Sequence, residues 1–339
     1  MRRKTYLFLG AALLAVLAGL IYILATKGPE PSFSFYHWKT TYAPGEAEQA
    51  MLKDLHSSRQ YVRLFDVTVE EGETDLTPIA TLRFSTKPEL PVVPVIFIQN
   101  ARLETFLNEA TAPDLAQKIT GRVDKMMRLN KLVPAKELQL DCDWTESTRS
   151  GFFALVGEVK KRLPSGWTLS VTLRLHQYRD YAKTGVPPAD RVALMLYNMG
   201  NLRTFDSKNS IIDPVIAKQY LRGTYPLPLD VALPLFEWTV MFDKNEDYQG
   251  LVGSVPENLD TDTEHFEPID ATHYRLKRPW AFGTGGSTIR VERSTPEDVR
   301  AVGALVKDLP GWSGRVIFYH LDAACLKGWS ADALRALVR

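Results

Sequence analysis

The segment "ELQLDCDWTES", residues 137–147, places three acidic side chains, Asp141, Asp143 and Glu146, after an apolar alternation typical of a buried strand. Asp141 and Asp143 are two positions apart, so both point to the same side of that strand. Carboxylates crowded in a partly buried site raise each other's pKa, and one of them then holds a proton at neutral pH. The spacing therefore indicates acid–base chemistry toward a leaving oxygen. The alternative is a structural network in which the two aspartates bind loop amides.

Other polar and aromatic residues stand where further strands are expected to end. They are His37 and Trp38, Asp66, Asn100, Arg174 and His176, Tyr197 and Asn198, Glu237 and Trp238, and Tyr319 and His320. The strand starts are largely apolar by comparison. Aromatic rings beside carboxylates suit the flat apolar faces of sugars, so the set favours a glycan-binding mouth. For each histidine and for Trp238, the alternative is a purely structural role in the interior of the fold.

The elements that must position these residues alternate between strands and helices, which argues for a parallel sheet. Strands are expected at 33–38, 61–69, 91–100, 137–144, 167–178, 191–200, 229–238 and 313–322. The pattern predicts an α/β fold, a (β/α)8 TIM barrel, which needs about 250 residues. Its helices are degraded in the connections before the third and the sixth strand. A doubly wound open sheet is the alternative, but "HWKTTYAPG" is not the glycine-rich loop usual after its first strand. In a barrel, all strand ends meet at one mouth.

The first residues combine a basic triplet at 2–4 with an apolar run at 6–25. This pattern predicts a transmembrane helix with its basic end in the cytoplasm, and a cleaved signal peptide is the alternative. Either way, the rest of the chain is expected on the periplasmic or extracellular face, held by the membrane if the helix is retained. We divide the chain into an anchor or signal peptide at 1–27, a linker at 28–34 and a barrel domain at 35–339, with an insertion at 243–292.

Charge and cysteine content exclude several classes of partner. Lysine plus arginine total 41 and aspartate plus glutamate total 40, so no long-range field attracts nucleic acid. Cys142 and Cys325 are expected to be buried free thiols, although an exported protein could pair them. No CxxC or HExxH motif occurs, so neither a metal nor a cofactor is predicted.

Three segments resemble motifs of the family 18 glycoside hydrolases, the chitinase-like barrels. "LQLDCDWTE" is similar to their fourth-strand D-x-x-D-x-D-x-E signature, and "MLYN" at 195–198 is similar to their sixth-strand M-x-Y-D segment. "GRVIFYHLD" at 314–322 resembles their eighth strand, with Tyr319 where a tryptophan is usual. The resemblance spans most of residues 33–325 in strand order. Overall, the sequence resembles still more closely a family of bacterial envelope barrels with no assigned activity.

The resemblance implies roles for individual residues. In chitinase-like enzymes the final glutamate protonates the glycosidic oxygen, and the preceding aspartate orients an N-acetyl group that supplies the nucleophile. Asp141 and Asp143 match the strand aspartates, and Tyr197 matches the tyrosine that holds the acetamide. The acid position falls on Thr145, and the signature's first aspartate falls on Leu138.

A threonine cannot serve as the acid, so the sequence leaves three possibilities. Glu146 reaches the mouth through a bulge, Glu237 replaces the missing acid, or hydrolysis has been lost. The leading hypothesis is a membrane-anchored barrel that acts on a glycan, containing N-acetylhexosamine if the resemblance holds. A glycan-binding protein without catalysis is the second hypothesis. The third is a structural envelope component whose mouth is plugged by residues 243–272. No protein partner is identified by the sequence.

Overall fold

The computed structural model describes residues 30–68, 77–100 and 103–338. In chain order the strands are β1 (Ser32–His37), β2 (Thr41–Tyr42), β3 (Gln60–Thr68), β4 (Thr77–Ile79), β5 (Arg83–Phe84), β6 (Val92–Ile98), β7 (Glu137–Asp141), β8 (Thr168–Leu173), β9 (Arg191–Met195), β10 (Leu229–Pro234), β11 (Glu237–Phe242), β12 (Tyr248–Val252), β13 (Phe266–Pro268), β14 (His273–Leu276), β15 (Thr288–Arg293) and β16 (Trp312–Tyr319). The helices are α1 (Glu46–Asp54), α2 (Leu103–Phe106), α3 (Ala112–Leu129), α4 (Arg149–Arg162), α5 (Leu175–Arg179), α6 (Tyr181–Thr184), α7 (Pro214–Tyr220), α8 (Pro296–Val306), α9 (Ala323–Leu326) and α10 (Ala331–Ala336).

Eight parallel strands form a closed barrel, as the sequence predicts. Their order around the barrel is β1, β3, β6, β7, β8, β9, β10 and β16. The sheet closes because β1 pairs with β16 on one side and with β3 on the other, where Tyr36 lies opposite Tyr61. The open doubly wound sheet is thereby excluded. The predicted linker 28–34 ends inside β1, because the strand already begins at Ser32 and buries Phe33 against Phe318.

Helices cover the barrel where the sequence has helical periodicity. Leu115, Ile119 and Val123 lie on one side of α3 and are all buried. The two weak connections are degraded, as expected. The described part of the link between β3 and β6 before residue 92 contains the short strands β4 and β5, and the link between β8 and β9 contains only α5 and α6. The predicted membrane span at 1–27 lies outside the described residues. Within them, no helix is long and apolar enough to cross a membrane.

A five-stranded antiparallel sheet is inserted between β10 and α8, with strand order β12, β11, β15, β14 and β13. It has a small core of its own around Met241, Phe266 and Ile289. The insertion begins at Glu237 rather than at residue 243, because the apolar run after residue 229 is not one strand. β10 ends at Pro234, and β11 then pairs with β15 in the added sheet.

The strand-start end of the barrel is not apolar, contrary to expectation. Glu137 is buried there and accepts hydrogen bonds from Arg315 at 2.9 Å and from Arg59 at 3.3 Å. Asp230, also buried, accepts a hydrogen bond from Ser313. Buried carboxylates are tolerated only when they are paired and hydrogen-bonded. This layer is therefore structural and closes the end of the barrel opposite the mouth.

Candidate functional site

A cavity of about 380 Å³ opens at the carboxyl ends of the barrel strands. Ten sequence-predicted residues line it: Trp38, Asp141, Asp143, Arg174, Tyr197, Asn198, Glu237, Trp238, Tyr319 and His320. It also contains residues that sequence reasoning missed, among them Tyr36, Phe97, Thr172, Phe236, Leu251 and Gly253. Leu251 and Gly253 come from the insertion, so this segment forms part of the cavity wall and leaves the cavity open.

Asp141 is the most deeply placed carboxyl group of the cavity. It ends β7, is only 7% exposed, and its Oδ1 accepts a hydrogen bond from Thr172 Oγ1 at 2.6 Å. Burial and, second, the charge of Asp143 raise the pKa of Asp141 to about 6. Asp141 is therefore protonated in mildly acidic solution and ionised at neutral pH.

Asp143 is held by Arg174 from the end of the neighbouring strand β8. Arg174 Nε donates to Oδ1 at 2.5 Å, and its terminal nitrogen Nη2 donates to Oδ2 at 2.6 Å. Burial works against the charge of Arg174, but the bond to Asp143 holds the pKa of the guanidinium above its ordinary value. Both carboxylate oxygens of Asp143 are thus engaged in a planar two-bond pair. The pair therefore presents hydrogen-bonding groups in fixed positions. The negative charge of Asp143 and the positive charge of Arg174 nearly cancel.

Tyr197 follows β9 and points into the same cavity. It is 6% exposed, and its ring packs against Tyr319 at a centroid distance of 5.4 Å and against Phe236 at 6.0 Å. Burial and then the neighbouring Tyr319 raise the pKa of Tyr197 well above its ordinary value. Its hydroxyl therefore stays protonated and can donate a hydrogen bond to a ligand.

Aromatic rings form two sides of the cavity. Trp38 packs beside Tyr319 at 5.6 Å, and Trp238 packs beside Phe236 at 5.1 Å. Trp238 is further fixed because its Nε1 donates to Glu292 Oε2 at 2.6 Å. Such rings, held in place but reachable from the cavity, provide flat apolar surfaces for a ligand.

Two predicted site residues, one on β1 and one on β3, have structural roles in the barrel instead. His37 is buried outside the cavity and its Nε2 lies 3.2 Å from the carbonyl oxygen of Thr41, while burial lowers its pKa to about 4. Asp66 is buried and bound through both oxygens by Arg63, with Nε to Oδ1 at 2.5 Å. A bulge in β3 between residues 63 and 65 brings these two side chains together.

Asn100 and Glu146 also lie outside the cavity. Asn100 Oδ1 accepts a hydrogen bond from Thr148 Oγ1 at 2.7 Å, and Thr148 also accepts one from the backbone nitrogen of Thr145 at 2.9 Å. These bonds fix the loop after β7 in a tight turn that leads into α4. Glu146 is exposed in this turn, so the bulge that would bring it to the mouth is absent from this described loop.

His176 is exposed on the first turn of α5 rather than on a strand. The apolar alternation continues past residue 173, which led to the prediction of a strand to 178. However, β8 ends at Leu173, because the backbone nitrogen of Arg174 donates to Gln177 Oε1 at 2.8 Å and starts a helix. His176 therefore turns away from the cavity while Arg174 stays in it.

Glu237 lines the cavity but belongs to the insertion rather than to the seventh barrel strand. Its Oε2 accepts a hydrogen bond from Arg293 Nε at 3.0 Å, and both side chains are almost half exposed. Exposed pairs of this kind contribute about 0–1 kcal/mol. Glu237 is therefore a paired rim residue and not a buried acid.

His320 and Cys325 complete the wall. His320 Nδ1 is buried without a hydrogen-bond partner among the described residues, and burial lowers the pKa of this ring. Burial raises the pKa of Cys325 to about 12, so it is a thiol rather than a reactive thiolate. Cys142 and Cys325 are both free, as expected, and Cys325 is half-buried at the cavity.

The closed eight-stranded sheet with a cavity at the ends of its strands is a (β/α)8 barrel. It is similar to the Bacillus cereus spore cortex-lytic enzyme SleL, with 15% identity and a TM-score of 0.53 over 92% of this chain and 74% of that one. It is also similar to a class V chitinase from Pseudomonas fluorescens Pf-5, with 15% identity and a TM-score of 0.52 over 91% of this chain and 100% of that one. A third similar structure is catalytic domain 2 of the Group II chitinase from Ostrinia furnacalis, with 11% identity and a TM-score of 0.50 over 91% of this chain and 96% of that one. No protein-family model matches this chain, and no curated protein matches it. At these identities the likeness defines the fold.

Proposed function

We propose that the protein binds a glycan in the mouth cavity and does not hydrolyse it by the chitinase-like route. The fold of the similar structures, the aromatic walls and the fixed polar groups support glycan binding. The hydroxyl of Tyr197, the counterpart of the tyrosine that holds an acetamide, favours a sugar with an N-acetyl group. The near-neutral Asp143–Arg174 pair favours an uncharged glycan.

One observation argues against hydrolysis by this route: the residue that the resemblance matches to the signature's acid is Thr145, which cannot donate the proton. The neighbouring Glu146 is exposed and does not line the cavity. Glu237 reaches the rim but is paired with Arg293. A substrate-assisted glycosidase works without a carboxylate nucleophile but still requires an acid.

A second candidate function is hydrolysis with Asp141 as the acid. The raised pKa of about 6 favours it, because this carboxyl group still carries a proton in mildly acidic solution. This route would show a turnover that falls as the pH rises through about 6 and that disappears in Asp141→Asn. The first candidate instead requires binding with no product at any pH.

The decisive experiment measures binding and turnover in parallel with the purified full chain. Calorimetry against N-acetylhexosamine and neutral oligosaccharides should show binding, and mass spectrometry of the same mixtures should show no shortened product. Trp38→Ala should weaken binding, whereas Phe282→Ala, which removes a 55% exposed ring outside the cavity, should not. Products would establish an enzyme. Neither binding nor turnover across the panel would favour the structural envelope component.

We further propose that the barrel is an envelope protein, held on the outer face of the membrane by residues 6–25. The basic triplet before this apolar run supports that orientation. Mass spectrometry of the mature protein tests retention of the span. A new N-terminus between residues 22 and 32 would contradict anchoring and leave export intact.

A further inference from the structure

An apolar groove of about 530 Å³ lies between α3 and α4 on the strand-start face, the side of the barrel opposite the glycan cavity. Val123, Met127 and Leu132 line it together with Leu138 and Trp167. Trp167 precedes β8 and is half-buried, so one edge of its ring reaches the surface. None of the residues that line this groove also lines the cavity at the mouth.

Two exposed apolar side chains lie in the same segment of the chain, although neither lines the groove itself. Leu129, at the end of α3, is 71% exposed, and Val133, in the following loop, is 49% exposed. Pro134 and Pro164 are exposed beside them. An apolar groove with exposed apolar side chains in the same segment is a candidate place for another surface to bind.

The groove is surrounded by positive charge. Residues 125–136 contain four basic and no acidic side chains, and residues 160–167 contain three basic and no acidic ones. The whole chain has a formal charge of only +1, so this excess is local. We name the two segments together the basic groove face.

Not all of these charges are neutralised by the protein itself. Arg128 pairs with Asp124 at 2.8 Å, and on the other segment Lys160, Lys161 and Arg162 pair with Asp190 or Glu158. Lys125, Lys131 and Lys136 are exposed and form no ion pair within the described part of the chain. These three cations remain available to an anionic partner.

The position of the first strand indicates what that partner is. All barrel strands are parallel, so β1 begins at Ser32 on the same side as the basic groove face. Only residues 26–31 separate it from the apolar run 6–25. Fully extended, this connection of six residues spans about 20–22 Å. An apolar run inserted in a bilayer would therefore hold this face of the barrel close to the lipid headgroups.

We infer that the basic groove face docks on an anionic lipid bilayer. Leu129, Val133 and Trp167 enter the headgroup layer, and Lys125 and Lys131 contact lipid phosphates. This combination of apolar and cationic side chains is the one that interfacial membrane surfaces use. The docked barrel would point its glycan cavity away from the membrane, because the mouth lies on the opposite side. The inference rests on the proposed membrane anchor and does not depend on what the cavity binds.

The test uses the full chain reconstituted in nanodiscs of phosphatidylcholine alone or with added phosphatidylglycerol. Hydrogen–deuterium exchange of residues 130–136 should be several-fold slower in the anionic nanodiscs, and high salt should remove the difference. The double variant Lys125→Glu/Lys131→Glu should lose this protection. The control Lys244→Glu/Arg275→Glu makes the same charge change on exposed residues of the insertion and should keep it.

A second variant, Leu129→Ser/Val133→Ser, separates apolar insertion from charge, with Ile269→Ser, 46% exposed on the insertion, as its control. Leu129→Ser/Val133→Ser should also lose the protection from exchange, and Ile269→Ser should keep it. Equal exchange rates in both lipids would overturn the inference. So would protection in detergent that grows with protein concentration, since the face would then bind a second copy of the chain. A glycan-binding result of either sign leaves these outcomes unchanged.

Discussion

Arg174 and Asp143 join the ends of two adjacent barrel strands through parallel hydrogen bonds of 2.5 and 2.6 Å. The side chain of Arg174 is 23% exposed and that of Asp143 is 43% exposed, so the pair lies at the surface of the cavity rather than in the core. Asp143 is the residue that the sequence resemblance matches to the orienting aspartate of the chitinase-like signature. In this chain that aspartate is already bound by the protein itself.

Arg174→Gln is expected to weaken glycan binding about tenfold, which corresponds to about 1.4 kcal/mol. The variant loses a fixed set of donors and releases Asp143. The free energy of unfolding should change by no more than about 1 kcal/mol, because both partners remain partly hydrated. Calorimetric titration and urea denaturation measure the two quantities. Arg128→Gln, which breaks an exposed ion pair with Asp124 outside the cavity, is the control and should leave the affinity unchanged. A large loss of stability in Arg174→Gln would instead make the pair a structural one.

Asp141 should make the stability of the protein depend on pH. Its pKa of about 6 in the folded state lies above the roughly 3.9 of an unfolded chain. As the pH falls from about 6 to about 4, the folded state binds the proton first and gains stability. As the pH rises through the same window, that stabilisation is lost.

Asp141→Asn removes this titration and keeps an oxygen that can accept from Thr172. Relative to the unmodified protein, the stability of the variant should therefore rise by about 2 kcal/mol from pH 4 to pH 7. Urea denaturation across this range measures the difference, and titrating groups that do not interact with Asp141 cancel in the comparison. Parallel stability curves for the two proteins would show that Asp141 titrates normally.

Glu292 is expected to hold Trp238, and with it one aromatic side of the cavity, in position. Its Oε1 accepts from Arg290 Nε at 2.6 Å, its Oε2 accepts from Trp238, and the side chains of Arg290 and Glu292 are fully buried. Breaking such a pair leaves an uncompensated buried charge and costs about 3–5 kcal/mol. Glu292→Gln should therefore destabilise the protein by about this amount in urea denaturation and weaken glycan binding through Trp238.

The same sheet provides the matched control. Glu237 and Arg293 lie opposite each other one register step from Trp238 and Glu292, but they are exposed. Glu237→Gln should cost at most about 1 kcal/mol. If Glu292→Gln cost as little as Glu237→Gln, the buried pair would not hold the wall.

The barrel could be predicted from the sequence because strands buried on both faces are long apolar runs at regular spacing. The ends of the strands could not, since apolar alternation does not stop where a strand stops. At β8 the alternation continues through Leu175, and only Gln177, three residues after Arg174, indicates the helix that turns His176 outward. At β10 the run continues beyond Pro234, and that proline is the one local sign of the break.

The same limits apply to the site. Asp141 and Tyr197 directly end or follow short apolar strands, and the structure brings both to the cavity. Asp66 lies near the end of β3 and Asn100 follows β6, but Asp66 is bound by Arg63 across a bulge and Asn100 by the distant Thr148. No sequence period records those contacts. The missed Leu251 and Gly253 come from the insertion, whose placement over the mouth depends on the buried Arg290 reaching backbone carbonyls of Thr204 and Phe205.

The missing acid leads to the last prediction. If Thr145 is where hydrolysis was lost, Thr145→Glu should produce detectable hydrolysis of N-acetylhexosamine oligosaccharides, because it returns a general acid to the signature position. Thr145 is exposed, and its backbone nitrogen donates to Thr148 Oγ1 at 2.9 Å. Its hydroxyl also lies 3.0 Å from Ser147 Oγ and 3.2 Å from Thr148 Oγ1. The substitution removes these two hydroxyl contacts but keeps the backbone bond, so the loop should stay folded.

Thr145→Gln is the control, since it has the same length and no proton to give. Mass spectrometry of products should detect turnover in Thr145→Glu alone, falling as the introduced carboxyl group ionises with rising pH. No turnover in either variant, with binding intact, would show that the acid is not the only missing part. The double variant Arg174→Gln/Thr145→Glu would then test whether the pairing of Asp143 with Arg174 also prevents hydrolysis. In this variant the released aspartate could turn toward the N-acetyl group.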